Sequence, residues 1–213
     1  MAAIPHSAIR NPQWVRCGLS LVELIVVILI LAILAAFAVP HVGAGVDDRL
    51  ATAATAVVGD LEMARSLAVS NASNYRFMFD TAQSTYTLKH VGTNTALDVL
   101  PASPFHHVSD SGRLLTAELD DLPSLGGDVQ LVSVQINLSP PAEVADLEFG
   151  RLGSTTRVDE TVLWLAAGRG SDRRYLSVVV NPTTGLAEPK PPAQKAKPDG
   201  VLDPLAEIIE DTL

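Results

Sequence analysis

Gly18-Leu19-Ser20-Leu21-Val22-Glu23 opens a stretch that runs on as LIVVILILAILAAFAV over residues 24–39. These last 16 residues are all apolar, and within the 21 residues of Leu19–Val39 only Ser20 and Glu23 are polar. At 1.5 Å per residue, such a helix spans roughly 31 Å, the thickness of a bilayer's hydrocarbon core. Residues 1–18 carry Arg10 and Arg16 and no acid, while Asp47-Asp48 follows the apolar run. That asymmetry sets the N-terminus in the cytoplasm and the bulk of the chain across the membrane.

Three roles compete for the segment. A removable secretory signal needs a basic start, an apolar centre and a small-x-small site, and Ala36-Phe37-Ala38 supplies the last. A plain signal anchor needs only the apolar length. The third role gives Glu23 a purpose. An acid in an apolar helix costs up to about 3 kcal/mol on insertion scales, less near the interface, and such a residue usually has a partner.

Beyond the membrane, Val46, Leu50, Ala53, Val57, Leu61, Ala64 and Ala68 recur at spacings of three and four, with charged residues mostly off that stripe. This is an amphipathic helix over 46–71. Pro40, Gly43 and Gly45 mark a kink or a melted stretch between the two helical segments. From Tyr75 the texture is β. Strands are expected at 75–80, 84–90, 113–119, 129–138, 146–149, 161–167 and 175–181, with a last one at 186–188. Segments 92–112 and 120–127, rich in Pro, Gly, Ser and Asp, read as loops. One helix followed by six to eight strands implies an α+β domain with the helix against an antiparallel sheet.

The string Gly18–Glu23 before an unbroken apolar run resembles the N-terminal signal of type IV pilins and of the pseudopilins of type II secretion. Leu19 stands where a phenylalanine is usual. The resemblance implies cleavage by prepilin peptidase between Gly18 and Leu19, N-methylation of Leu19, and a role for Glu23 in assembly. In that family the acid meets the N-terminal amine of a neighbouring subunit. Two unit charges about 4 Å apart at an effective dielectric near 20 attract by roughly 4 kcal/mol before desolvation. Pro40 falls where the family often places a helix-kinking proline. Leu61–Asn71, LEMARSLAVSN, resembles the "ARSEA" helix end of H-type minor pseudopilins and T-type minor pilins, with Leu67 replacing the usual acid. Tyr175–Glu188, a strand running into a Thr-Gly turn, resembles the end of the same domain. The implied partition is a leader over 1–18, a transmembrane segment over 19–40, a periplasmic domain over 41–189, and a linker with a tail over 190–213. The implied role is a minor pseudopilin in the inner membrane, working with other pilin-type subunits. A minor pilin of a type IV pilus, and a binding module released after Ala38, are the alternatives.

Composition agrees with a membrane stalk on an acidic domain. Hydrophobic types make up 47% and charged residues 18%, against roughly a quarter charged in an average soluble domain. Fifteen basic residues face 24 acidic ones, a net charge of −9. Without Arg10 and Arg16, residues 19–213 hold 13 basic and 24 acidic residues, a net of −11. That balance disfavours nucleic-acid binding. Arg169, Arg173 and Arg174 form a small basic cluster that reads as a solvated hairpin turn. Cys17 is the one cysteine and lies in the leader, so the processed chain has none.

No nucleophile elbow, zinc-helix motif or phosphate loop is present, so neither enzymatic activity nor a cofactor is expected. His106-His107, Asp110 and Asp120-Asp121 lack the spacing of a metal-ligand set. Glu188–Gly200, EPKPPAQKAKPDG, reads as an extended linker. Asp203-Pro204 then opens a short amphipathic stretch, with Leu205, Ile208, Ile209 and Leu213 on one side. That stretch docks either on a partner or on its own sheet.

Overall fold

The computed structural model describes residues 20–38, 45–101, 107–108, 112–119, 129–194, 196–201 and 203. Two compact units divide the chain, Met1–Gly43 and Ala44–Leu213. The first holds helix α1, Leu21–Ala38, about 27 Å long at the standard rise. Among the described residues no helix is long and apolar enough to cross a membrane.

The second unit begins with α2, Val46–Ser70, whose first turn carries Asp47 and Asp48. Acids there complement the positive end of the helix dipole. Leu50, Ala53, Ala54, Val57, Leu61, Ala64 and Ala68 of α2 are buried. The expected stripe is therefore the packed face, apart from half-buried Val46, and its alanines let backbone approach backbone. The helix ends in a tight C-terminal turn. Ser73 N–H donates to Ala68 O and Ala72 N–H to Val69 O, with Ala72 at φ +46°. That pair of bonds is the Schellman arrangement, with alanine in the left-handed position usually held by glycine.

Among the described residues ten strands follow: β1 Tyr75–Asp80, β2 Thr85–His90, β3 His107–Val108, β4 Leu115–Glu118, β5 Val129–Ile136, β6 Ala142–Glu143, β7 Asp146–Phe149, β8 Thr161–Ala167, β9 Arg174–Val180 and β10 Ala187–Gln194. They form two five-stranded sheets, ordered β3-β4-β2-β1-β7 and β10-β9-β8-β5-β6. Every strand pairing is antiparallel. The fold is α+β, with α2 packed against strands of both sheets. Tyr75, Phe77, Tyr86, Leu88, Leu147 and Phe149 from the first sheet join Leu131, Val134, Leu163, Leu165, Val178 and Val180 from the second in one core with the helix stripe.

Three features depart from the sequence reading. A single sheet is expected, but the strands divide into two. The loop segment 92–112 contains a turn of 3-10 helix at Thr95–Leu97 and strand β3. The proline-rich linker expected from Glu188 is strand β10 as far as Gln194. Proline is tolerated there because β10 is an edge strand. Pro189 stands opposite Val178 and Lys190 opposite Ser177; the next pair is Gln194 with Tyr175. The chain thus advances four residues on β10 against two on β9, and the bulge absorbs Pro191 and Pro192.

Candidate functional site

Of the residues assigned to processing and assembly, Gly18, Leu19 and Pro40 lie outside the described residues. Glu23 sits in the first turn of α1, where Leu24 N–H already donates to Ser20 O. The apolar side chains on either side of it are exposed, from Leu21 at 73% to Val27 at 46%. A run of Leu, Ile and Val left open to water forgoes roughly 2 kcal/mol per side chain. The run calls for a non-aqueous cover, lipid or neighbouring helices.

The two segments quoted above for the second unit meet each other. Arg65, near the end of α2, donates from Nε to Thr184 O at 2.7 Å. Thr184 belongs to the turn after β9, where Asn181 Oδ1 accepts from the backbone N–H groups of Thr183 and Thr184 at 3.0 Å each. Gly185 closes that turn at φ +66°, and a Cβ there would lie 1.9 Å from Gly153 O. Glycine is required on both counts. The helix end and the Thr-Gly turn therefore form one joint, and Leu67, at the place of the missing acid, packs half-buried against the core.

In the arginine cluster Arg169 is exposed in the turn between β8 and β9, as expected, and Arg174 is half-buried, but Arg173 is not solvated. Arg173 is 4% exposed. It donates from Nε to Asp203 Oδ2 at 2.5 Å, from Nη1 to Gly168 O at 2.9 Å and from Nη2 to Gln130 Oε1 at 2.9 Å. Tyr175 donates its hydroxyl to the same Asp203 oxygen at 2.9 Å. Burial, followed by the bond to Asp203, raises the Tyr175 pKa above its usual value. A charged residue is buried here because a carboxylate from the tail meets it. Residues 196–201 and Asp203 thus dock on the chain's own sheet, with Pro198, Val201 and Asp203 buried. The amphipathic residues from Leu205 onward lie outside the described residues.

One arrangement was not legible in the sequence. Ser73 Oγ lies 2.7 Å from His90 Nε2, and His90 Nδ1 lies 2.8 Å from Asp98 Oδ1. The order is that of a nucleophile, a base and an orienting acid. The loop at Gly92 covers it, since a Cβ on Gly92 would stand 2.0 Å from Ser73 Oγ and 2.6 Å from His90 Nε2. The trio ties the end of α2 to β2. A second buried pair does similar work deeper in. Asp60 of α2 accepts a hydrogen bond from the Tyr86 hydroxyl of β2. Burial first, then the Asp60 charge, raises the Tyr86 pKa well above 10.

His106, Asp110, Asp120 and Asp121 lie outside the described residues. Among the described residues no group of three His, Cys, Asp or Glu side chains is placed to hold a metal ion.

No family model matches the chain, and no curated protein matches it. In fold the chain is similar to two crystal forms of the type IV minor pilin FimU from Pseudomonas aeruginosa. The identity is 17% in both, with TM-scores of 0.42 and 0.41, over 69% of this chain and 93% and 98% of those chains.

Proposed function

We propose that the chain is a minor pseudopilin, a low-copy structural subunit of a type II secretion pseudopilus. Prepilin peptidase cuts it after Gly18, and Leu19 becomes the N-methylated first residue. Residues 19–40 hold it in the inner membrane by a single pass, with the domain from residue 41 onward in the periplasm. There it joins other pilin-type subunits and assists the export of folded proteins.

The observation that carries this reading is Gly18–Glu23 standing directly ahead of 16 apolar residues. Gly18 lets a protease approach the backbone closely. Cleavage leaves an ammonium on Leu19, four residues from Glu23 and so on the same helical face. In lipid, an amine and a carboxylate from adjacent subunits have strong reason to pair and thereby set the stacking register. The exposed apolar face of α1 and the helix-on-sheet domain support the same reading.

The test is Glu23→Ala. The variant is expected to insert and be cut normally but to drop out of the assembled complex. Normal incorporation would remove the role given to Glu23. A type IV pilus uses the same membrane chemistry with different partners. Co-purification with pilus subunits instead of secretion subunits would move the protein to that system.

A further inference from the structure

The outer face of the second sheet, away from α2, holds a cavity of about 370 Å3. Its lining mixes aliphatic side chains and prolines, Val162 of β8 among them, with Gln135 of β5, Trp164 of β8, Gln194 at the end of β10, and Asn137, Lys197 and Asp199. The cross-strand neighbours of Trp164 are Ser133 and Ser177. Both are small, so the indole is flanked by short side chains, and the next residue along the row is Lys190 of β10, beyond Ser177. The segment 196–201 forms one wall: Pro198 and Val201 are buried, and Gly200 packs close enough that a Cβ would lie 3.2 Å from Gln135 Nε2. Asp203, clasped by Arg173 and Tyr175, fixes the end of that wall without lining the cavity.

The lining narrows the ligand by chemistry. Three side-chain amides carry both donors and acceptors, as a ligand's hydroxyl groups do, with Asn137 Nδ2 already donating to Glu160 Oε2 at 3.2 Å. One ammonium and one carboxylate cancel, so an anion would face Asp199 and a cation Lys197. A wholly apolar ligand would strip water from the amides without replacing its hydrogen bonds. A flat aromatic among hydroxyl-matching groups fits a ring with an apolar C–H face and a polar edge. The volume lies at the small end of ligand pockets. We propose that this cavity is a binding site for a neutral pyranose sugar, with the segment 196–201 as a strap that shapes it and Asp203 as its positioning residue. The proposal stands apart from the membrane reading, because it uses only the second unit.

The test is titration of the full chain in lauryldimethylamine oxide micelles, a detergent without a sugar head group. The signals followed are the 15N-labelled indole N–H resonances of Trp14 and Trp164, assigned with Trp164→Phe. The probes are maltose and N,N′-diacetylchitobiose, with sorbitol as the open-chain control. The expected result is a saturable shift of the Trp164 signal alone with at least one disaccharide, at a dissociation constant on the order of 1 mM. Asn137→Ala, an exposed rim change, is expected to weaken the binding about tenfold, and Asp203→Asn is expected to weaken it while the Trp164 signal stays dispersed. The proposal is overturned if neither disaccharide gives a saturable shift up to about 50 mM, fiftyfold above that constant. A sorbitol response equal to the sugar response, or binding unchanged in Asn137→Ala and Asp203→Asn alike, also overturns it.

Discussion

Replacing Asp203 with alanine removes the carboxylate that closes the tail onto the second sheet. The side chains of Arg173 and Asp203 are 3% and 1% exposed. Removing one partner of a buried ion pair costs about 3–5 kcal/mol, because the other charge stays buried without compensation. Arg173 keeps its bonds to Gly168 O and Gln130 Oε1, which places the guanidinium near the lower end, about 3 kcal/mol. The Tyr175 hydroxyl also loses its acceptor, adding about 1 kcal/mol. Asp203→Asn keeps an acceptor for both donors and is expected to cost about half as much. Arg173→Met with Asp203→Leu removes both charges and is expected to recover most of the loss. Urea unfolding of residues 44–213 at pH 7 checks all three, with stability read from the midpoint at constant slope. The Asp203→Ala loss is also expected to be nearly independent of salt, since a pair so buried is poorly screened. A loss below about 1 kcal/mol, the size of a surface ion pair, would refute the reasoning. So would a double variant no more stable than Asp203→Ala.

Gly185→Ala forces a side chain into a position where φ is +66° and a backbone oxygen lies 1.9 Å from the new carbon. Urea unfolding should show a loss of at least about 2 kcal/mol, with the joint to Arg65 broken. Ala72→Gly relieves a left-handed alanine at the end of α2 and is expected to stabilise by up to about 1 kcal/mol in the same assay. Stability should also fall on the alkaline side. The Tyr86 and Tyr175 pKa values are both raised in the folded state, so their contribution is complete below the unfolded value near 10 and is lost as pH rises past it. The alkaline slope of urea midpoints between pH 9 and 11 should shrink in Tyr86→Phe, and an unchanged slope would assign it elsewhere.

Helix α2 and most strands were legible because each obeys a short-range rule. The Leu50-to-Ala68 stripe follows the helical period. Tyr75–Asp80, Asp146–Phe149 and Thr161–Ala167 are short β-rich runs bounded by turn residues, and the strands stand at those positions. What failed depends on distant partners. Pro189 in a strand is acceptable only beside an open edge, and no local pattern tells which strand lies outermost. Arg173 and Asp203 look like two surface charges 30 residues apart until β9 and the returning tail bring them together. Ser73, His90 and Asp98 join through a loop whose path no periodicity records. The division into two sheets follows from pairing order, which alternation does not encode. Gly18 to Glu23 is the opposite case. The signal proposed for it lies in the order of residues along the chain, and the fold does not bear on it.

The most direct test of the account is the intact mass of the mature protein, purified from membranes of cells that make prepilin peptidase. The account predicts a chain that begins at Leu19 and carries an N-terminal methyl group, with the apolar helix retained. A chain that begins at Val39, cut after Ala38 and freed from the membrane, would contradict it.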